Sequence, residues 1–278
     1  MNQTTRITAS PTLQRARGCA EVTVGTREGR TVLRRLYQQG CAKALLPRTH
    51  SAKPEAVIVN TSGGLTGGDR LDYRFEAEAG AGLTVTTQAA ERVYRASAGE
   101  ARVVTGLHLG AGADLAWLPQ ETILFEGGAL RRTLDVEMAE GARLTAIESI
   151  VFGRAAMGET VTHGALNDQW RIRHEGRLIH AEALRATGDL ARSMAGRATL
   201  RDTRAIATLV HVEAGAEDRL DEARGIIAQF EGTSAAATAK PGLLIARFAA
   251  PDAAPLRKAL IRFLMAFRRE TLPRVWSF

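Results

Sequence analysis

Asn60-Thr61-Ser62-Gly63-Gly64-Leu65-Thr66-Gly67-Gly68-Asp69-Arg70 is the stretch with the most unusual chemistry in this chain. Two glycine pairs flank Leu65-Thr66 directly after the apolar run Ala56 to Asn60, so the backbone can turn sharply there and ends on an acid. A phosphate cradle would need a helix to follow, with its free N–H groups aimed at the anion, and no helical period follows. A turn that delivers Asp69 to a shaped surface is therefore expected. Three further segments carry polar residues where packing alone would not demand them. They are Thr86-Thr87-Gln88-Ala89-Ala90-Glu91-Arg92-Val93-Tyr94-Arg95, Leu118-Pro119-Gln120-Glu121-Thr122-Ile123-Leu124-Phe125-Glu126-Gly127 and Phe152-Gly153-Arg154-Ala155-Ala156-Met157-Gly158-Glu159. The chain closes on Leu272-Pro273-Arg274-Val275-Trp276.

Several chemistries are excluded. Lys43, Lys53, Lys240 and Lys258 are followed by Ala, Pro, Pro and Ala, so no GK[ST] P-loop exists. The six histidines, at 50, 108, 163, 174, 180 and 211, form no HxH or HExxH pattern and have no cysteine at ligand spacing, so a tight structural zinc site is not expected. His163, His174 and His180 are close in sequence and read as surface or internally satisfied positions. There is no GxSxG elbow. Cys19 and Cys41 form neither a CxxC pair nor a disulfide framework and read as small buried thiols. The net charge of +7 comes from 33 arginines and 4 lysines, scattered along the chain, against 30 acids. Without stacking aromatics gathered among them, a basic surface facing an acidic protein is expected rather than nucleic-acid binding.

The elements that must hold these segments are mainly strands. Residues 1–18 are polar, Arg-rich and without period, and read as a flexible tail ahead of a single β-rich domain over residues 19–278. With no apolar run at Met1 to Ser10 and none long enough to span a bilayer, the expected location is the cytoplasm. Leu71, Tyr73, Phe75 and Ala77 alternate with Asp72, Arg74, Glu76 and Glu78, and Leu134, Val136 and Met138 alternate with Thr133, Asp135 and Glu137. A Gly/Ala turn followed by a leucine recurs at Gly80-Ala81-Gly82-Leu83, Gly110-Ala111-Gly112-Ala113-Asp114-Leu115 and Gly141-Ala142-Arg143-Leu144, with the leucines 32 and 29 residues apart. This repeat predicts stacked strand-turn-strand hairpins sharing a quasi-one-dimensional, solenoid-like core.

Helical period appears late. Leu220, Ala223, Ile227 and Phe230 predict a helix over 216–230, and Asp252 as N-cap with Leu256, Ala259, Leu260, Phe263, Leu264 and Phe267 predicts another over 252–270. Arg257, Lys258, Arg262, Arg268 and Arg269 fall on its other faces and read as a solvated basic surface. Leu243 to Phe248 reads as a strand, and Gly232 to Lys240 as a loop.

Taken together and in this order, the motif segments resemble the UreD/UreH family of urease accessory proteins, from about Arg17 to Trp276. The resemblance implies a mainly β, superhelical stack of strands with two helices and no catalytic residues or tightly bound cofactor. It implies a scaffold that helps place nickel in apo-urease, acting with UreF and, through UreF, the GTPase UreG, with UreE as nickel donor. A generic β-rich binding module without a metal role is the alternative. The family is thought to offer nickel a water-filled route. By that resemblance the acids within the matched motifs, Asp69, Glu91, Glu121, Glu126 and Glu159, are candidate stations on it. Each could equally make ordinary hydrogen bonds and ion pairs at a turn.

Overall fold

Both alternating runs fold as strands whose apolar members are buried and whose charged members are not. The computed structural model describes residues 14–49, 51, 53–154, 157–196, 199–201 and 203–277. Residues 1–13 of the expected tail, His50, and Ala155-Ala156 of the last long motif lie outside the described residues. Two sheets face each other. The first contains β1 (Arg17–Arg27), β2 (Arg30–Gly40), β5 (Arg70–Ala77), β8 (Ala101–Leu109), β11 (Ala129–Met138), β13 (His163–His174) and β14 (Arg177–Asp189), in spatial order β14-β13-β11-β8-β5-β1-β2. The second contains β3 (Ala42–Leu45), β4 (Glu55–Asn60), β6 (Gly82–Thr87), β7 (Glu91–Val93), β9 (Asp114–Leu118), β10 (Thr122–Leu124), β12 (Arg143–Phe152), β15 (Ala205–Val212), β16 (Ser234–Lys240) and β17 (Leu243–Ala250). Its main path runs β16-β17-β15-β12-β9-β6-β4-β3, and β7 and β10 pair beside β12.

The repeat is present, but its units are not hairpins. β5, β8 and β11 pair in parallel in one sheet, and β6, β9 and β12 pair in parallel in the other. Each Gly/Ala turn is therefore an arch that carries the chain across from the first sheet to the second. Leu83, Leu115 and Leu144 stand side by side in register and are fully buried. Gly80, Gly112 and Gly141 stack at φ of 68°, 65° and 66°, a left-handed conformation costly for a residue with Cβ. The Gly80 N–H donates to Ala111 O at 2.9 Å and the Gly112 N–H to Glu140 O at 2.9 Å, so the arches are laddered like the strands.

Along the opposite edge the chain returns from the second sheet to the first, and the long motifs are those returns. Leu65 N–H donates to Arg92 O at 2.7 Å, Tyr94 N–H to Leu65 O at 2.7 Å, Phe125 N–H to Val93 O at 3.0 Å, and Gly153 N–H to Leu124 O at 2.8 Å. Gly64 is required by this stacking: a Cβ there would lie 2.4 Å from the Tyr94 ring and 2.8 Å from Arg92 O.

One apolar core fills the space between the sheets, and a second lies on the outer face of the second sheet under α2 (Leu220–Ile227) and α3 (Ala253–Arg268). The whole expected stripe of α3 is buried. Asp252 accepts the Ala253 N–H at 2.6 Å, and Arg269 ends the helix at φ 54°. The first late helix begins as a 3-10 turn, Ala216–Arg219, and is shorter than expected. A short helix, α1 (Leu190–Met194), also interrupts the strand region, N-capped by Asp189 accepting the Arg192 N–H at 2.8 Å.

Three further expectations need correction. The stretch Ser234–Lys240 is a strand paired with β17, not a loop, with Ala235, Ala237 and Ala239 facing the helices' core. Its alanines carry too little bulk and β-propensity to betray the alternation. Arg17 and Gly18, placed in the tail, belong to β1, and Ala16 O accepts the Arg70 N–H at 2.9 Å. Arg257 and Arg268 are not part of a solvated basic face. Arg257 reaches Glu121, Val275 O and Trp276 O, while the Arg268 side chain is buried against Glu270. Among the described residues, no helix is long and apolar enough to cross a membrane.

Candidate functional site

The strand pleat sends every second residue of β11 inward, and the inward row reads Leu130, Arg132, Leu134, Val136, Met138. Arg132 is thus a charge on an apolar face. Its in-register neighbour on β13 is Asp168, between Leu166 and Trp170 on the same face. Facing both from the second sheet is Glu148, in the wholly buried interior of β12. Arg132 Nε and Nη2 donate to Asp168 at 3.1 and 2.6 Å, and Nη1 reaches Glu148 and Thr122 Oγ1, the latter at 3.2 Å. Trp117 Nε1 donates to Glu148 Oε1 at 2.8 Å. One guanidinium therefore bridges the two sheets and neutralises carboxyls from both. Burial pushes the Glu148 carboxyl upward, with Arg132 opposing. The two acids on either side raise the Arg132 pKa against the cost of its own burial.

Cavities lie on both sides of this cluster. One of about 50 Å³ separates it from Glu91 and is lined by Tyr73, Thr105 and Trp117, a size suited to water. Thr105 Oγ1, buried there, has no partner among the described residues. Glu91, at the start of β7, accepts from Asn60 Nδ2 at 3.2 and 3.1 Å and from the Arg92 N–H at 3.1 Å. Burial pushes its carboxyl up to about 7, only partly offset by these donors. On the other side a larger cavity of about 460 Å³ runs from Glu148 and Asp168 to Glu182 and Arg247. Arg247 donates to Glu182 at 2.8 Å, again across the two sheets, and His180 Nε2 lies 3.5 Å from the same carboxylate. Against the cost of burial, His180 and Arg247 hold Glu182 below the usual carboxylate range.

The site is therefore a line of carboxyls between the sheets: Glu91, then Glu148 with Asp168, then Glu182. Among the described residues no group of three or more His, Cys, Asp or Glu could hold a metal ion. The acids succeed one another with cavities between them.

Of the five acids expected from sequence, only Glu91 faces this interior. Asp69 uses both oxygens on backbone, accepting the Ala16 and Thr66 N–H groups at 2.8 Å each, and so closes the glycine-rich return. Glu121 pairs with Arg257 at 3.3 Å, in the joint where Gln120 and Trp276 bind the C-terminal segment to the Leu118–Glu121 return. Glu126 accepts from the Thr162 N–H at 2.6 Å, the Thr162 hydroxyl at 2.9 Å and the His163 N–H at 3.1 Å; these donors overcome burial and lower its pKa. Glu159 is held by Arg154 at 2.8 Å, which lowers its pKa, and accepts the Glu126 N–H at 3.4 Å. His163 and His174 stand at opposite ends of β13, about 36 Å apart at strand rise. Cys19 and Cys41, expected as small buried thiols, are free but only half-buried, and that partial burial raises both thiols. The acids that sequence reasoning missed, Glu148, Asp168 and Glu182, carried a usable signal in two cases: Glu148 and Asp168 fall on the inward phase of apolar strands.

Comparison with known proteins places this arrangement in a family. A family model described as UreD urease accessory protein matches residues 16–277. A urease accessory protein UreD from Rhizobium leguminosarum bv. trifolii is 49% identical over 265 residues, covering 95% of this chain and 96% of that protein. One from Chelativorans sp. is 46% identical over 279 residues, covering all of both chains. Another from Dinoroseobacter shibae is 49% identical over 270 residues, 96% of this chain and 94% of its own. The chain belongs to the UreD family of urease accessory proteins.

Proposed function

We propose that the chain is a non-enzymatic scaffold that conducts nickel to apo-urease in the cytoplasm, as part of a complex with UreF and, through UreF, the GTPase UreG, with UreE as donor. The observation that carries this reading is the line of interior acids, Glu91, Glu148 with Asp168, and Glu182, set between the sheets with cavities between them. A borderline divalent ion moves through protein on carboxylate oxygens and water, provided no station holds it in a closed cage. Arg132 occupies the cation's place beside Glu148 and Asp168 until cargo arrives, so the carboxyls are not left as unpaired buried charges. Glu91, with a pKa near neutrality, can exchange a proton for an entering cation. The four clamping acids, Asp69, Glu121, Glu126 and Glu159, fix the returns that frame this interior and serve the route indirectly.

The test is reconstitution. Urease produced with UreE, UreF and UreG but without this chain should contain little nickel and show little activity, and adding the chain should restore both. Full nickel loading without it would overturn the reading. The isolated chain should hydrolyse no GTP, in keeping with its lack of a P-loop; turnover by the pure protein would contradict a purely scaffolding role.

A further inference from the structure

The C-terminal segment folds back beside α3 and leaves an open groove of about 650 Å³ between them. Its floor is aliphatic: Ile261 and Leu272 are half-buried, and Met265 is 52% exposed. Lys258 and Arg262 stand exposed along its rim and have no hydrogen bond or ion pair among the described residues. In this respect they differ from Arg257, Arg268 and Arg269, which are all paired to acids. From Ala254 to Met265 the groove follows the helix for about 16 Å, the length of roughly three helical turns.

We propose that this groove docks an amphipathic, acidic helix of a partner protein, with its apolar stripe on Ile261, Met265 and Leu272 and its carboxylates against Lys258 and Arg262. The two unpaired cations set the sign of the partner, and the aliphatic floor sets its stripe. Nucleic acid fits less well. Among the described residues the one aromatic at the groove, Trp276, is 3% exposed beneath Arg257 and offers no face for a base. A second copy of this basic chain, net charge +7, would bring like charges together at the rim.

The inference rests on the scaffold reading only for the choice of probe. The tagged full-length chain is co-expressed with the urease structural subunits, UreE, UreF and UreG, and partner recovery is measured at low and high salt. Met265→Glu, and the double variant Lys258→Glu with Arg262→Glu, are compared with Arg185→Glu on the exposed face of β14. All alter exposed side chains, and thermal melts check that each variant folds. Recovery of one partner should fall about tenfold or more for both groove variants and stay at wild-type level for Arg185→Glu. Hydrogen exchange on the wild-type complex should show protection of 254–265 and 271–277, and cross-links from Lys258 should map to an acidic helix. Wild-type recovery by the groove variants would overturn the groove while leaving the scaffold reading intact. Co-purifying RNA, or a homodimer protecting the groove, would likewise overturn it. Failure of the wild type to recover any of these subunits would overturn both.

Discussion

Glu91 is the residue at which sequence, geometry and titration meet. It sits in a motif, faces the interior and has its carboxyl pushed up to about 7 by burial, from an ordinary value of 4.5. A carboxyl raised on folding stabilises the fold fully below its unfolded pKa, and that contribution is lost as pH rises through the folded value. Between about pH 4.5 and 7 the wild type should therefore lose stability at this site, on the order of 1–3 kcal/mol. Glu91→Gln keeps the shape and removes the titration. Urea denaturation should find the variant more stable than wild type at pH 8 by that amount and nearly equal at pH 4.5; an unchanged pH profile would show that Glu91 is not desolvated. Asp69 has a different part, because Asp69→Ala strands two backbone N–H groups and should cost about 1–3 kcal/mol in urea denaturation. The distinction between these two acids could not be read from sequence. Both end or enter glycine- and alanine-rich returns, and only the stacking of successive coils decides which one faces inward.

At the scale of elements, α3 separates folding from binding. Phe263 is fully buried, edge-on to Phe248 at 5.3 Å and stacked on Phe267 at 5.2 Å. Phe263→Ala should cost about 3–5 kcal/mol in urea denaturation. Arg262→Glu should leave stability almost unchanged, since its side chain is exposed and has no partner among the described residues. The helix was legible because its period of 3.6 and its N-cap agree. The arches were only half legible. The Gly/Ala turns and their leucines announce a repeat, but nothing local tells a hairpin from an arch, since both need a left-handed glycine. What decides is whether the two flanking strands bury their apolar faces against each other across a core or pair side by side. Gly112 tests the arch directly: a Cβ there meets nothing within 4 Å, so Gly112→Ala should destabilise by about 1–2 kcal/mol through φ alone.

Over the whole molecule, parallel coils put one chemistry on each side. The short arches stack on one edge, the long returns on the other, and the interior holds the ionic line that neither edge displays. Stacking in register is what brings Arg132 beside Asp168, 36 residues apart, and sets both against Glu148 in the facing sheet. That convergence is a property of the assembled sheets, and a single strand shows only a charge in an apolar phase. The central claim is that this interior line carries the cargo. The most direct measurement is the nickel content of urease purified after co-expression with UreE, UreF, UreG and either the wild-type chain or Glu91→Gln. The variant should fold and recover its partners as the wild type does, while the urease it serves contains several-fold less nickel. Urease loaded with nickel as fully by Glu91→Gln as by the wild type would contradict the claim that the interior line starting at Glu91 is the path.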